Sequence, residues 1–430
     1  MACTSALFLG ACTGESQLPN PSGKGSVRAI NAIPGSPDVA FKIEERTLNV
    51  IGYKEPSSPA LYDDFEYTFN FDIDIPGEDE LTRIASVVQK VDVDRDYIFA
   101  LTGSIDNPTV TTWAADLRDW EGSETVFEAR FAHLSASLGD VDVYFDDPAN
   151  PPSASNLVAT LSPGNIMDIT DFEEGTYLIT ITAAGDPNRV PLYASGDLNF
   201  VAQSSHVVSL FDGNENDLSP YVLTTTTTAG QTSRLADPSF GPTIRIIHGS
   251  RTLQSVDVYD DETLTSLVVN DVAFGTATAD LLTTSEEKTF YFTPAGSVAT
   301  TLFSQALGPA PPAAPSELFL VGTTGLWEGI NLAQDRSSVS TFAKLTIYHA
   351  AFENQSFDIY VKDRDAALAE DDLADLFGVL FTSPSATLRL AAGSFDIYIT
   401  ETASKTVLAG PYPIDVARGD VVFLLAVDAV

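Results

Sequence analysis

Cysteine is nearly missing from this sequence. Its two residues, Cys3 and Cys12, both lie near the start, so no disulfide framework holds the body of the chain together. Basic residues are scarce: Lys and Arg total 22 against 60 Asp and Glu, a formal net charge of -38 spread along the whole length. A field of that sign repels phosphate backbones and anionic lipid, which excludes nucleic acid as a partner. No apolar run approaches the roughly 18 residues that cross a bilayer, so no transmembrane segment is expected. Histidine is confined to four positions, too sparse for the three or four clustered ligands of a zinc site. GxSxG, HExxH and P-loop motifs do not occur. Neither catalysis nor a bound cofactor is expected of this chain.

What the chain does have is 44% hydrophobic residues, enough to exclude disorder, and a stretch written four times. The copies are VRAINAIPGSPDVAF from Val27, ARFAHLSASLGDVDVY from Ala129, IRIIHGSRTLQSVDVY from Ile244 and KLTIYHAAFENQSFDIY from Lys344. Their common position falls at Asn31, His133, His248 and His349. That spacing of about a hundred residues is the length of a whole domain, far above a solenoid repeat. Four units follow, residues 24–124, 125–240, 241–342 and 343–430, behind an N-terminal segment 1–23.

Within each unit the apolar stretches are short, rich in Phe, Tyr, Ile and Val, and alternate with period two, as in YTFNFDIDI from Tyr67. Gly, Pro, Asp and Asn separate them. Such patterning specifies an all-β chain of four tandem immunoglobulin-like antiparallel β-sandwiches. One segment, 365–377, places Leu368, Leu373, Leu376 and Phe377 near one helical face and predicts a short covering helix.

The repeat resembles a bacterial family of extracellular lipoproteins known as a domain of unknown function. Its signature is V-R-V-x-H-A-S-P-D-A-P-x-V-D-V-Y, followed by V-A-F-G-T and a G-x-Y strand. Val141 to Tyr144, Val256 to Tyr259, Val272 to Thr276 and Gly175 to Tyr177 carry the likeness; the S-P-D-A-P loop has drifted in every copy. The resemblance implies a sandwich fold and a location at the cell surface or outside the cell, and no reaction. The first residues, MACTSALFLGACTGES, also resemble a lipoprotein signal in which Cys12 becomes the lipid anchor, and Thr13 implies sorting to the outer membrane. The likeness departs from the usual pattern in having no Lys or Arg before a short apolar run.

In V-D-V-Y the valines face one side of the strand and the Asp the other. An Asp among core positions needs a donor, so a structural latch is expected in which the His bonds to the Asp or to backbone: His133 with Asp142, His248 with Asp257, His349 with Asp358, and Asn31 with Asp38 in the first copy. Acidic turns offer a calcium alternative, foremost Asp212, Asn214, Asn216 and Asp217 in DGNEND, although the sixth-position Gly and closing Glu of an EF loop are missing. Arg418-Gly419-Asp420 spells an adhesion tripeptide and sits where a hairpin turn belongs.

Units one to three continue past their inner strand into a further strand-like segment, VTTWAADL, YVLTTTTTAG and LWEGINLAQD; unit four reaches Val430 without one. It is therefore expected to lack its closing strand and to invite one from another chain. The N-terminal stretch from Thr4 to Thr13, with Leu7, Leu9 and Ala11 on one face, is the best donor, and that role competes with lipidation of Cys12. The sequence thus points to a non-enzymatic surface or extracellular structural protein, a rod of sandwiches assembling into fibres or with other surface proteins. The alternative is a surface-anchored module binding polysaccharide or protein.

Overall fold

A computed structural model describes residues 20–428, and among them the chain forms strands and turns and no helix. Residues 24–116 form β1 (Lys24–Asn31), β2 (Val39–Ile43), β3 (Arg46–Ile51), β4 (Ala60–Asp63), β5 (Glu66–Ile73), β6 (Thr82–Lys90), β7 (Arg95–Ser104) and β8 (Asn107–Asp116). Residues 126–235 form β9 (Val126–His133), β10 (Val141–Asp146), β11 (Leu157–Leu161), β12 (Thr170–Glu173), β13 (Gly175–Ala183), β14 (Pro191–Phe200), β15 (Ser205–Asp212), β16 (Tyr221–Thr227) and β17 (Thr232–Leu235). Residues 243–332 form β18 (Thr243–His248), β19 (Val256–Tyr259), β20 (Leu267–Val272), β21 (Leu281–Leu282), β22 (Lys288–Pro294), β23 (Phe303–Leu307), β24 (Pro315–Thr323) and β25 (Leu326–Leu332). Residues 343–426 form β26 (Ala343–His349), β27 (Ser356–Asp363), β28 (Leu376–Leu380), β29 (Leu388–Leu390), β30 (Gly393–Glu401), β31 (Val407–Val416) and β32 (Val421–Ala426).

These strands make eight sheets, two to each immunoglobulin-like sandwich. In the first unit the sheets run β4-β1-β7-β8 and β3-β2-β5-β6; unit three repeats the order, unit two adds β17 beyond β16, and in unit four the first sheet is the three-stranded β29-β26-β32 among the described residues. The sandwiches are not purely antiparallel. The repeat strand lies parallel to the seventh strand in every unit, β1 on β7, β9 on β15, β18 on β24 and β26 on β32. The chain has crossed to the other sheet and back between them, which is what a parallel pair requires. Each sandwich buries its own apolar core, that of unit one being built on Phe41, Phe69, Phe71 and Phe99.

Two arrangements differ from the sequence reading. The units are not strung end to end as a rod: the β1-β7 sheet packs face to face on the β9-β15 sheet, and the β18-β24 sheet on the β26-β32 sheet. Ile30, Ile98 and Trp113 meet Leu134, Val207 and Phe211 in the first contact, and Ile247, Phe319 and Val321 meet Tyr348 and Ala350 in the second. The repeat strands are consequently buried on both faces. Gly249 is required by that closeness, since a Cβ there would lie 2.6 Å from Ala350 Cβ. Buried polar groups fix the contacts. Arg28 donates to Asp96 (2.6 Å) and to the Thr227 carbonyl (2.9 Å), while Glu317 accepts from Arg245, Arg336 and, at 2.6 Å, Tyr348 Oη. The two pairs also meet: the Ser340 amide donates to Gly35 O at 2.8 Å, and the Arg389 guanidinium lies 3.5 Å from Asp38.

The second difference is the expected helix over 365–377, which is a loop leading into β28. Its acids make other bonds: Asp372 takes the Ala369 amide, which a helix would use, and Lys362, while Asp375 is drawn to the Val361 amide of β27. Asp365 stands at φ 65°, outside the helical region. Leu373 and Phe377 therefore point to solvent.

Candidate assembly site

The closing strands of the first three units have a shared job. β8, β16 and β25 each pair antiparallel with the inner strand before them, β7, β15 and β24. They also touch the last strand of the opposite sheet, β6, β14 and β23, and so seal one long side of the sandwich. In unit four the corresponding sheet is β29-β26-β32, and among the described residues no strand pairs with the far edge of β32.

That vacant place changes both of its neighbours. Leu318 to Val321 in β24 are wholly buried, whereas every residue of β32 is only half-buried. β31 is exposed along nearly its whole length, unlike β14. Between them lies an open groove of about 500 Å³, floored by Ile347, Phe357, Ile397 and Leu424 and walled by Leu408 and Tyr412. Glu353 and Asp428 stand at its rim. None of residues 365–377 lines it, so that segment does not cover the edge. The arrangement offers a row of backbone donors and acceptors beside apolar floor, which is the chemistry of strand addition.

Of the two latch forms expected from the sequence, the structure has the one in which the His bonds to backbone and not the one in which it bonds to the Asp. No His bonds to its Asp. His133 Nε2 donates to Gly139 O (2.9 Å) and His248 Nε2 to Gln254 O (3.1 Å), while His349 Nδ1 accepts the Ala351 amide at 3.3 Å. The other ring nitrogen of each is buried with no partner. Burial pushes all three imidazoles down, His349 to about 4, so each ring is neutral and tied to backbone through one nitrogen.

The Asp is the clamp, and what it holds is backbone. Asp142 accepts from Thr160 Oγ1 and the Gly185 amide, Asp257 from the Asp271 and Gly296 amides, Asp358 from the Gly378 and Ala403 amides, all between 2.6 and 2.9 Å. All five of those amide donors, Gly185, Asp271, Gly296, Gly378 and Ala403, sit at positive φ in a bulge or hairpin turn; each carboxylate thus ties two adjacent strands at a turn. The Asn31–Asp38 pairing is out of register. Asn31 lies in the His position and bonds to Ser36 Oγ at 2.7 Å, but the Asp position is filled by Ala40, and Asp38 is exposed.

The DGNEND oxygens do not converge on an ion site. Asp212 accepts from Ser135 and Ser137 and from the Ala136 and Ser137 amides. Asp217 is neutralised by Lys54 and Arg234, Asn214 accepts the Asn216 amide, and Asn216 bonds to Asp335 and the Arg336 amide. The turn thus fastens unit two to the linker ahead of unit four. Among the described residues no group of three or more His, Cys, Asp or Glu side chains is placed to hold a metal. Arg418 to Asp420 form a turn in which Asp420 caps the Ala417 amide. Cys12, Leu7, Leu9 and Ala11 lie outside the described residues.

Sequence reasoning missed the face-to-face pairing of units. The signal was present: first strands such as Lys344 to Ala351 carry apolar residues on both faces and do not alternate strictly.

No protein-family model matches this chain, and no curated protein matches it. Among solved structures, the Bacillus anthracis TIE protein is similar over 95% of this chain and 69% of its own, at 10% identity and a TM-score of 0.16. A variant of BcpA, the major pilin subunit of Bacillus cereus, is similar over 71% of this chain and 99% of its own, at 9% identity and a TM-score of 0.14. Likenesses this faint say nothing of what this chain does.

Proposed function

We propose that this is a non-catalytic structural protein of the cell surface or extracellular space, which joins to other polypeptides by taking a β-strand into the open edge of its fourth sandwich. The observation carrying the reading is the contrast within one chain: three sealed sandwiches and one whose β31 and β32 border an apolar groove. Burying about four apolar side chains there contributes roughly 1.5 to 3 kcal/mol each before ordering costs. That is enough to hold subunits together. The acid coat, with its formal charge of -38, keeps such a surface soluble.

The test is sedimentation of the full chain over a range of concentrations, beside a Leu408→Glu/Tyr412→Glu variant. Both residues are exposed on β31, so the changes leave folding intact and put charge in the groove. Assembly that grows with concentration and is lost in the variant supports the reading. Equal assembly of the two proteins places the contact elsewhere.

A further inference from the structure

The groove also specifies what can fill it. A strand paired with β32 has two rows of side chains. One row drops onto the sandwich floor of Leu345, Ile347 and Leu424. The other turns toward unit three, where Phe423, Leu425 and Val427 join Ile247 and Phe319. The three closing strands show the requirement met. β8 sends Val110 to its own core and Trp113 into the contact between units; β16 buries neighbouring Val222 and Leu223; β25 sends Trp327 inward and Ile330 and Leu332 toward unit four. An occupant must therefore be apolar on both faces, unlike a one-sided surface strand. It must also be free of acid, because Glu353 and Asp428 line the groove and repel further carboxylates.

Residues 4–13, TSALFLGACT, meet both demands. Leu7, Leu9 and Ala11 form one row, Ala6, Phe8 and Gly10 the other, and the first charged residue of the chain is Glu15. The segment precedes the described body, and the stretch from Gly14 to Gly23 reaches at most about 35 Å from the start of β1. β1 leads away backwards, and β32 forwards, from one joint where Gly35, Ser338, Ser340 and Gly419 meet.

We infer that residues 4–13 of a second copy of this chain are the missing strand, pairing antiparallel with β32, Leu7 and Leu9 on the sandwich floor and Phe8 against unit three. A donor at one end and an acceptor at the other make a heterologous contact, so successive copies add head to tail into open filaments. This rests on the acceptor reading above and names its partner.

The test uses the full chain, a chain lacking residues 1–23, and a Leu7→Glu/Leu9→Glu chain, whose changes lie outside the folded body. The full chain is expected to polymerise with concentration and both variants to stay monomeric. A labelled peptide of residues 4–13 binds the shortened chain and slows amide exchange over 421–427, and its Leu7→Glu/Leu9→Glu form binds roughly tenfold or more weakly, since each buried carboxylate is penalised. Four results overturn the inference: persistent polymers of the Leu7→Glu/Leu9→Glu chain, a peptide that does not bind, an intact mass showing that the mature chain begins at Cys12, or a concentration-independent monomer whose 421–427 amides are already protected by its own segment. If the donor variants still assemble while the Leu408→Glu/Tyr412→Glu chain does not, the acceptor edge stands and only its occupant is wrong.

Discussion

Units three and four begin alike. Each opens on a buried repeat strand ending in a neutral His, each has an Asp that ties two backbone amides, and the two sandwiches share one apolar contact. They part at the last strand. In unit three β25 covers β24; in unit four nothing described covers β32, and the same strand passes from buried to half-exposed. An inner strand is thus made by its neighbours, since β32, apolar at every position, is less buried than β24, which carries Ser, Glu and Thr. Among the described residues only β24 has a second pairing partner.

The sharpest way to break the comparison is at equivalent leucines. Leu318 and Leu424 hold the same register against Ile246 and Ile347. Leu318→Ala is expected to cost about 4 kcal/mol, the loss for a sealed core, and Leu424→Ala about 1 to 2 in dilute, unassembled protein. Denaturant midpoints measure both, and equal losses would show the edge is closed. At high concentration, where the groove is filled, the second figure should rise toward the first.

The Asp clamp ought to be the same in both units. Asp257→Ala and Asp358→Ala each remove two charge-assisted bonds and strand two turn amides, at about 3 kcal/mol. A cost confined to one unit would mean that the other's turns hold without it, as happens in unit one, where Ala40 stands in the Asp position.

Acid should loosen unit four before it loosens unit one, which has Asn31 in place of a histidine. The folded pKa of His349 is depressed to about 4 by burial, so the unfolded chain binds the extra proton first. Stability is full above about pH 6.5 and falls by about 2 to 3 kcal/mol down to about pH 4, below which both states are protonated. A His349→Asn chain should have a flatter midpoint-against-pH curve over that window. An unchanged slope would assign the acid sensitivity to the carboxylates.

The smallest effect sharpens the comparison at a turn. The backbone of the repeat His bonds to a left-handed residue in both units: Gly275 at φ 76° in unit three, Thr382 at φ 72° in unit four. A β-branched side chain is strained there, so Thr382→Gly should stabilise by about 1 kcal/mol. Gly275→Thr should do the reverse, and melting temperature reads both.

Much of this was legible in residues alone. Period-two stretches between Gly, Pro and Asp turns could only be strands, and a motif recurring at domain spacing could only mark repeated sandwiches, because side-chain alternation is a local property of the pleat. The closing strands β8, β16 and β25 were legible too, from the strand-like segment that units one to three add after their inner strand. Local pattern misled where acids compete with helical hydrogen bonds, as at 365–377, and where two polar residues nine apart looked like partners.

The alternation along each strand therefore determined the fold class and the repeat by itself. Only the tertiary structure decided that the His and Asp of the motif serve different neighbours, that the DGNEND oxygens meet cations and amides, and that sandwiches lie face to face in pairs. Those outcomes depend on which groups from distant turns arrive within about 3 Å of one another, the range over which a hydrogen bond acts, and no spacing within one strand encodes that.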